Sequence, residues 1–433
     1  MALIVLATSQ VAGQPRGEKI DAAPLHRAHE ALTSVIVHDI FSPPVASRIY
    51  VYAHIAGYEV LNQVDDKYQS LHGQVKDFPA IPRPEKPISY SLAGVHAFLV
   101  TGQKLIFSEP ILEDSIQAIV TSYRRKTNKK IFDESLKYGQ RVADAILAWA
   151  ASDGYAETRK IRRYDLLKEE GKWIPTPPAY MAAVEPHWRL IRPIALDSAA
   201  QFKPPAPTPF SKEKGTPFYN MVYHVYRTGK ALSPEQIEIA KFWDCNPFVV
   251  NVHGHANYAT KKLSPGGHWL SIAGIASTQC GADMVQSSAA YTLTAIALFD
   301  GFISCWDEKY RSNLIRPETY INAYIDESWK PLLQTPPFPE HTSGHSVIST
   351  AAAVVLTNFF GDNFAFVDTS ELGYGLGTRR FSSFMEACNE AAISRLYGGI
   401  HYLPAIEHGQ SQGRKVGEMV ISKIRLVGGE TSD

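Results

Sequence analysis

The chain has 433 residues, 45 % hydrophobic and 20 % charged, which suits a globular enzyme with a large core in one domain or two closely packed ones. Lysine plus arginine equals aspartate plus glutamate at 43 each, so there is no overall basic field to hold a nucleic-acid backbone and no polybasic run for a membrane surface. Any anion site must therefore be local.

The amino terminus, MALIVLATSQVAGQ (1–14), is a short apolar stretch ending in small residues and reads as a residual signal-like segment. Export to the periplasm or exterior is the expectation, with residues 15–433 forming a single all-α domain. No apolar run reaches the roughly 18 residues that span a bilayer, and neither a membrane nor a nucleic-acid partner is expected. Oligomeric state is not legible.

Helical periodicity then runs through 25–41, 47–64, 88–107, 112–125, 132–152, 234–244, 282–304, 346–360, 382–396 and 405–425. Proline-rich connections separate these segments and no run of short alternating strands appears, so the fold class expected is all-α, built of packed helical bundles. The stretch 165–215 is rich in proline and aromatics with little periodicity; its apolar content predicts an ordered excursion over the bundle, roofing a site. The four cysteines, Cys245, Cys280, Cys305 and Cys388, lack CxxC spacing and read as buried thiols.

Three segments of the carboxyl-terminal third carry chemistry. In EKYRSNLIRPETY (308–320), Lys309 and Arg316 stand seven apart, which places both on one face of a helix ending at Pro317. In FPEHTSGHSVISTAAAVVLTNFF (338–360), Ser343, Gly344 and His345 open an apolar helix whose free N–H groups and dipole make an oxyanion seat. In ISRLYGGIHYLPAIEHG (393–409), Arg395 precedes a double glycine and His401. Each alone is compatible with a solvated cation face, a serine cap or a chance histidine.

In this order the three resemble the active-site signature of vanadium-dependent haloperoxidases, within the type 2 phosphatidic acid phosphatase/haloperoxidase superfamily, and most of all bacterial iodoperoxidases. The resemblance spans Lys309 to His401 and implies an all-α enzyme with vanadate as cofactor and hydrogen peroxide and halide as substrates. It implies that Lys309, Arg316, Arg395, Ser343 and the Gly344 N–H bind the oxyanion, that His401 coordinates vanadium, and that His345 is the acid/base. Lys309 would also polarise the peroxide. Trp306 and Phe338 match the aromatics lining the halide side, which points to iodide first and bromide second. Apart from the family, three cations, a hydroxyl and a backbone donor suit an oxyanion of charge −1 to −2.

Two positions depart from the pattern. Thr342 stands where the superfamily usually has proline, and Ala405 stands where an aspartate usually orients the histidine; Glu407 and His408 are the nearby candidates for that role. An acid phosphatase working through a phosphohistidine at His401 is the alternative reading, weakened by the missing aspartate. An inactive helical scaffold is the alternative from another class. NVHGHANYATKKLSPGGHW (251–269) offers His253, His255 and His268, but no acidic or cysteine partner at familiar spacing, so a pocket-rim role is expected there. Asp244 and Asp307 are candidates for countering a cage arginine.

Overall fold

The long run MVQSSAAYTLTAIALFDGFISCWDEKY has apolar residues on every side of a helix, a pattern that requires burial all round. A computed structural model, describing residues 19–253, 256–259 and 261–427, places this run at the centre of the molecule. The amino-terminal helices are α1 (Ala23–His38), α2 (Pro43–Leu61), α3 (Tyr90–Gln103), α4 (Glu109–Arg124), α5 (Lys129–Ala151) and the single turn α6 (Tyr155–Thr158). Then come α7 (Pro217–Lys230), α8 (Pro234–Phe242), the hairpin β1 (Val250–His253) and β2 (Ala256–Ala259), α9 (Pro265–Gln279) and α10 (Met284–Ser312). The chain ends with α11 (Pro317–Tyr324), α12 (Gly344–Phe360), the hairpin β3 (Phe366–Asp368) and β4 (Arg379–Phe381), α13 (Phe384–Tyr397) and α14 (Leu403–Lys423).

Helix α10 is buried along nearly its whole length and packs against α2 on one side and α12 on the other, joining an amino-terminal bundle to a carboxyl-terminal one. Among the described residues the molecule is all-α apart from two antiparallel hairpins, which the periodicity did not signal. By length and composition α10 could cross a membrane, contrary to the expectation that no run would qualify; here its apolar window lies wholly inside the protein. Helices α7, α9 and α11 were also not anticipated. Each opens on a proline directly after its N-cap, and prolines at such positions start helices as readily as they end others. The signal-like segment 1–14 lies outside the described residues.

Two features position the carboxyl-terminal motifs. Gly409, Gly413 and Gly417 form a stripe along α14 that lets its backbone lie against α12; a Cβ at Gly413 would sit 2.1 Å from the Val347 carbonyl oxygen. The proline-rich excursion is ordered, as expected. Its Ile194, Ala195 and Leu196 amides donate to the buried Asp300 carboxylate at 2.7–2.9 Å. Its Val184 carbonyl accepts from Trp306 Nε1 at 3.2 Å and from the Tyr310 hydroxyl at 2.7 Å. It therefore covers the end of α10 that carries Trp306 and Lys309.

Candidate active site

The carboxyl end of α10 stops earlier than the sequence suggested. Asn313 adopts a left-handed conformation (φ 50°) as C-cap, and Arg316 is the N-cap of α11, with Pro317 as its first residue. Lys309 and Arg316 therefore do not share a helix face; a turn brings them together, and the proline begins a helix instead of ending one.

Both cations are fully buried and meet on Phe338. The Lys309 ammonium and the Arg316 guanidinium each lie 5.1 Å from the centroid of that ring. Lys309 Nζ donates to the carbonyls of Pro339 (3.0 Å), Glu340 (3.1 Å) and Thr342 (2.5 Å). Burial lowers its pKa to about 8. Arg316 donates through Nε to the Phe338 carbonyl and through Nη1 to the Ile400 carbonyl, both at 2.9 Å. Its Nη2 is buried without a partner, and burial lowers its pKa to about 10.

Arg395, near the end of α13, is held by the Trp243 carbonyl (2.7 Å from Nη2) and by the Ser394 hydroxyl (2.9 Å from Nε). Ser343 caps α12, its Oγ accepting the Ser346 amide at 3.3 Å, which leaves the hydroxyl hydrogen available to donate elsewhere. Gly344 faces Trp306 and Lys309 across free space; a Cβ there would meet them at 3.7 and 4.0 Å. The His345 ring is hydrogen-bonded to the Trp243 carbonyl, while its Nε2 has no partner. Desolvation, followed by the field of Arg395, keeps this imidazole neutral.

Gly344, His345, Arg395 and His401 line one pocket, and Trp306 and Phe338, with ring centroids 4.9 Å apart, form its apolar wall. Arg316 Nη1 reaches His401 Nε2 at 3.2 Å, which ties the Lys309–Arg316 pair to the same point. The structure thus brings Gly344, His345, Arg395 and His401 to one pocket with Arg316 against His401, while Ser343 and Lys309 are buried nearby without lining it, the three Lys309 N–H groups being spent on carbonyls.

One residue of the site was not predicted. His401 Nδ1 lies 2.9 Å from Glu340 Oε1, which also accepts the Tyr402 amide at 2.9 Å. Glu340, not Glu407 or His408, holds the ring; Glu407 is exposed and His408 packs on His341. Burial raises the Glu340 carboxyl to about 7, while burial and the fields of Arg316, Lys309 and Arg395 hold His401 well below its ordinary pKa. The contact is a hydrogen bond from a neutral imidazole. With Nδ1–H committed to Glu340, Nε2 carries the lone pair, which accepts from Arg316 Nη1 at the pocket's edge. The glutamate escaped sequence reading because it lies 61 residues before the histidine, on a different segment.

Thr342 also has a role that proline could not fill. Its hydroxyl donates to Gln412 Oε1 at 2.7 Å, and Gln412 Nε2 donates to the Ser304 carbonyl and hydroxyl, which fixes the segment between α14 and α10. Asp244 pairs with Lys262 and Asp307 with Arg311, though the field of Asp244 is felt at Arg395. Cys245, Cys305 and Cys388 are buried thiols, whereas Cys280 is exposed, contrary to expectation. Of the three histidines at 251–269, His268 is buried beside Cys245 and Glu371, partners too distant in sequence to be recognised. His255 lies outside the described residues.

Arg395, His345 and His401 line the pocket, and Lys309, Arg316 and Glu340 are buried around His401, with an unpartnered guanidinium nitrogen on Arg316, a set of groups that fits a tetrahedral oxyanion. The family model of the VCPO second helical-bundle domain matches residues 289–428, the segment holding the three motifs from Lys309 to His401. Curated protein sequences give no significant match. Among solved structures, a bacterial vanadium-dependent iodoperoxidase is 48 % identical, with a TM-score of 0.89 over 96 % of this chain and 99 % of that one. A holo-type bacterial vanadium-dependent chloroperoxidase (15 % identity, TM-score 0.72, 95 % and 98 % covered) shares the fold. So does an apo-type one (15 %, 0.69, 88 % and 94 %). With 48 % identity across nearly the full length of both chains, this protein belongs to the vanadium-dependent haloperoxidases and is an enzyme of that family.

Proposed function

We propose that the protein uses vanadate to oxidise iodide, and bromide less readily, with hydrogen peroxide, giving hypohalous acid and water from halide, peroxide and a proton. The observation that carries this reading is the gathering of Arg316, Arg395 and the α12 amino terminus about His401, with Lys309 behind Phe338 and with Trp306 and Phe338 as the adjoining wall. Bound there, vanadate supplies a Lewis-acidic centre that makes hydrogen peroxide electrophilic toward halide.

The rest of the chemistry belongs to the chain. His401 offers its Nε2 lone pair as the ligand, with Glu340 fixing the tautomer. Arg316 Nη2, Arg395, the Ser343 hydroxyl and the Gly344 amide hold the oxyanion's oxygens, which gives the unpartnered Arg316 nitrogen its acceptor. Lys309, already desolvated and fixed by three carbonyls, sets positive charge beside the peroxide position. His345, neutral and with Nε2 free, accepts and returns the proton. The aromatic wall suits a weakly hydrated halide better than a charged phosphomonoester. The amino-terminal segment fits export.

Glu340 bears on the phosphatase alternative. It supplies the carboxylate whose absence had counted against a phosphohistidine at His401, so family membership and the aromatic wall now separate the two readings. The experiment is to strip the protein of metal, add orthovanadate, and assay iodide oxidation by peroxide beside phosphomonoester hydrolysis. Vanadate-dependent triiodide formation is expected; phosphate release inhibited by vanadate, without iodide oxidation, would overturn the proposal.

A further inference from the structure

Behind the pocket wall three distant segments meet. Cys245 lies in the turn after α8, His268 in the first turn of α9, and Glu371 three residues beyond β3, all buried. His268 Nδ1 is 3.5 Å from Cys245 Sγ and 3.2 Å from Glu371 Oε1, and Sγ lies 4.0 Å from Oε1. The other ring nitrogen, Nε2, is 2.7 Å from Asp368 Oδ2. Asp368 is itself fixed, its Oδ1 accepting the Ser370 amide at 3.0 Å and the Ser370 hydroxyl at 2.6 Å.

A tetrahedral zinc ion bonded to sulfur at about 2.3 Å and to nitrogen and oxygen at about 2.0 Å separates its ligand atoms by roughly 3.2–3.6 Å. Two of the three separations fall in that range, and the third closes with a small rotation of the Glu371 carboxylate. Asp368 is the outer carboxylate that a ligating imidazole ordinarily has, accepting Nε2–H so that Nδ1 carries the lone pair. A buried imidazolium between Asp368 and Glu371 would explain the two carboxylates. The sulfur would then serve only as a weak hydrogen-bonding neighbour of Nδ1 and Oε1, whereas a metal uses all three atoms, which lie within 4.8 Å of one another.

We propose that Cys245 Sγ, His268 Nδ1 and Glu371 Oε1 form a zinc site, with Asp368 orienting His268. Three protein ligands leave a fourth position for water. Zinc enters as a dication, and the protons on the Cys245 thiol and on His268 Nδ1 leave to solvent, with no change of oxidation state. The site adjoins the oxyanion pocket, which Cys245 helps to line, and braces it. The carbonyl of Trp243, two residues before Cys245, holds both Arg395 and His345, and the Trp243 ring stacks on His268 at 4.5 Å. A metal at Cys245 would anchor that turn to α9 and to the β3–β4 hairpin.

The test begins with chelator-stripped protein dialysed against zinc and analysed for bound metal, alongside Cys245→Ser, Glu371→Gln and His401→Ala variants checked for folding by circular dichroism. One zinc per chain is expected in the unmodified protein and in His401→Ala, with affinity lowered by more than the roughly 100-fold that loss of an outer-shell partner can cost in the other two, each of which loses a direct ligand. Cobalt(II) in place of zinc should give tetrahedral visible bands and a thiolate-to-cobalt charge-transfer band that Cys245→Ser abolishes. Substoichiometric zinc, unchanged affinity in Cys245→Ser, or a cobalt spectrum without the sulfur band would overturn the proposal. The cobalt spectrum of the unmodified protein decides the matter if a variant does not fold.

Discussion

Glu340 and His401 are joined by a 2.9 Å hydrogen bond from Nδ1 to Oε1, and the same carboxylate oxygen holds the Tyr402 amide. One buried group thereby fixes the histidine's tautomer and the backbone behind it. Truncation in Glu340→Ala should free the ring and weaken vanadate affinity by roughly 10–100-fold. Glu340→Gln, whose amide oxygen can still accept both N–H groups, should lose less. Titration of each folded variant with vanadate checks this, and equal affinity in all three proteins would show that Glu340 does not position the ligand.

How much of this was legible in the sequence follows from the range of each interaction. Helix periodicity and the serine cap at Ser343 are local, so the bundles and the start of α12 could be read directly. Lys309, Arg316, Ser343, Gly344, His345, Arg395 and His401 stand out in the sequence only through their order and spacing. The shared helix face of Lys309 and Arg316 was misread because Asn313 takes a left-handed conformation that spacing does not encode. Glu340 and the Cys245–His268–Glu371 cluster were missed for a different reason. Their partners are 61, 23 and 103 residues away, and only the packed fold brings them together.

The glycine stripe of α14 gives a second prediction. At Gly413 the obstacle to a Cβ is backbone, the Val347 carbonyl at 2.1 Å, which cannot rotate aside. Gly413→Ala should therefore cost about 3 kcal/mol, the upper end for overpacking, and push the amino terminus of α12 away from His401. A lower melting temperature together with weaker vanadate binding is expected. Gly373→Ala, where nothing lies within 4 Å of the added methyl, should leave both unchanged and serves as the control. Equal melting temperatures for the two variants would contradict the packing argument.

Phe338 touches both the cage and its apolar wall. Replacing it with leucine keeps an apolar side chain but removes the ring against which Lys309 and Arg316 rest. The kcat/KM for iodide should fall by about tenfold, equivalent to about 1.4 kcal/mol in the transition state, with a smaller change in the KM for peroxide. Steady-state kinetics with each substrate varied in turn measures this. A loss confined to peroxide would place the halide elsewhere.

The central claim is spatial, that a single oxyanion is held by His401, Arg316, Arg395 and the start of α12, in the field of Lys309. The most direct measurement is a crystal structure of vanadate-loaded protein with anomalous data at the vanadium edge, paired with the metal content of His401→Ala. The account predicts one vanadium bonded to His401 Nε2, its oxygens within hydrogen-bond reach of Arg316 Nη2, Arg395 and the Gly344 amide, and no retained vanadium in the variant. Vanadium bound away from His401, or metal content unchanged in His401→Ala, would contradict it.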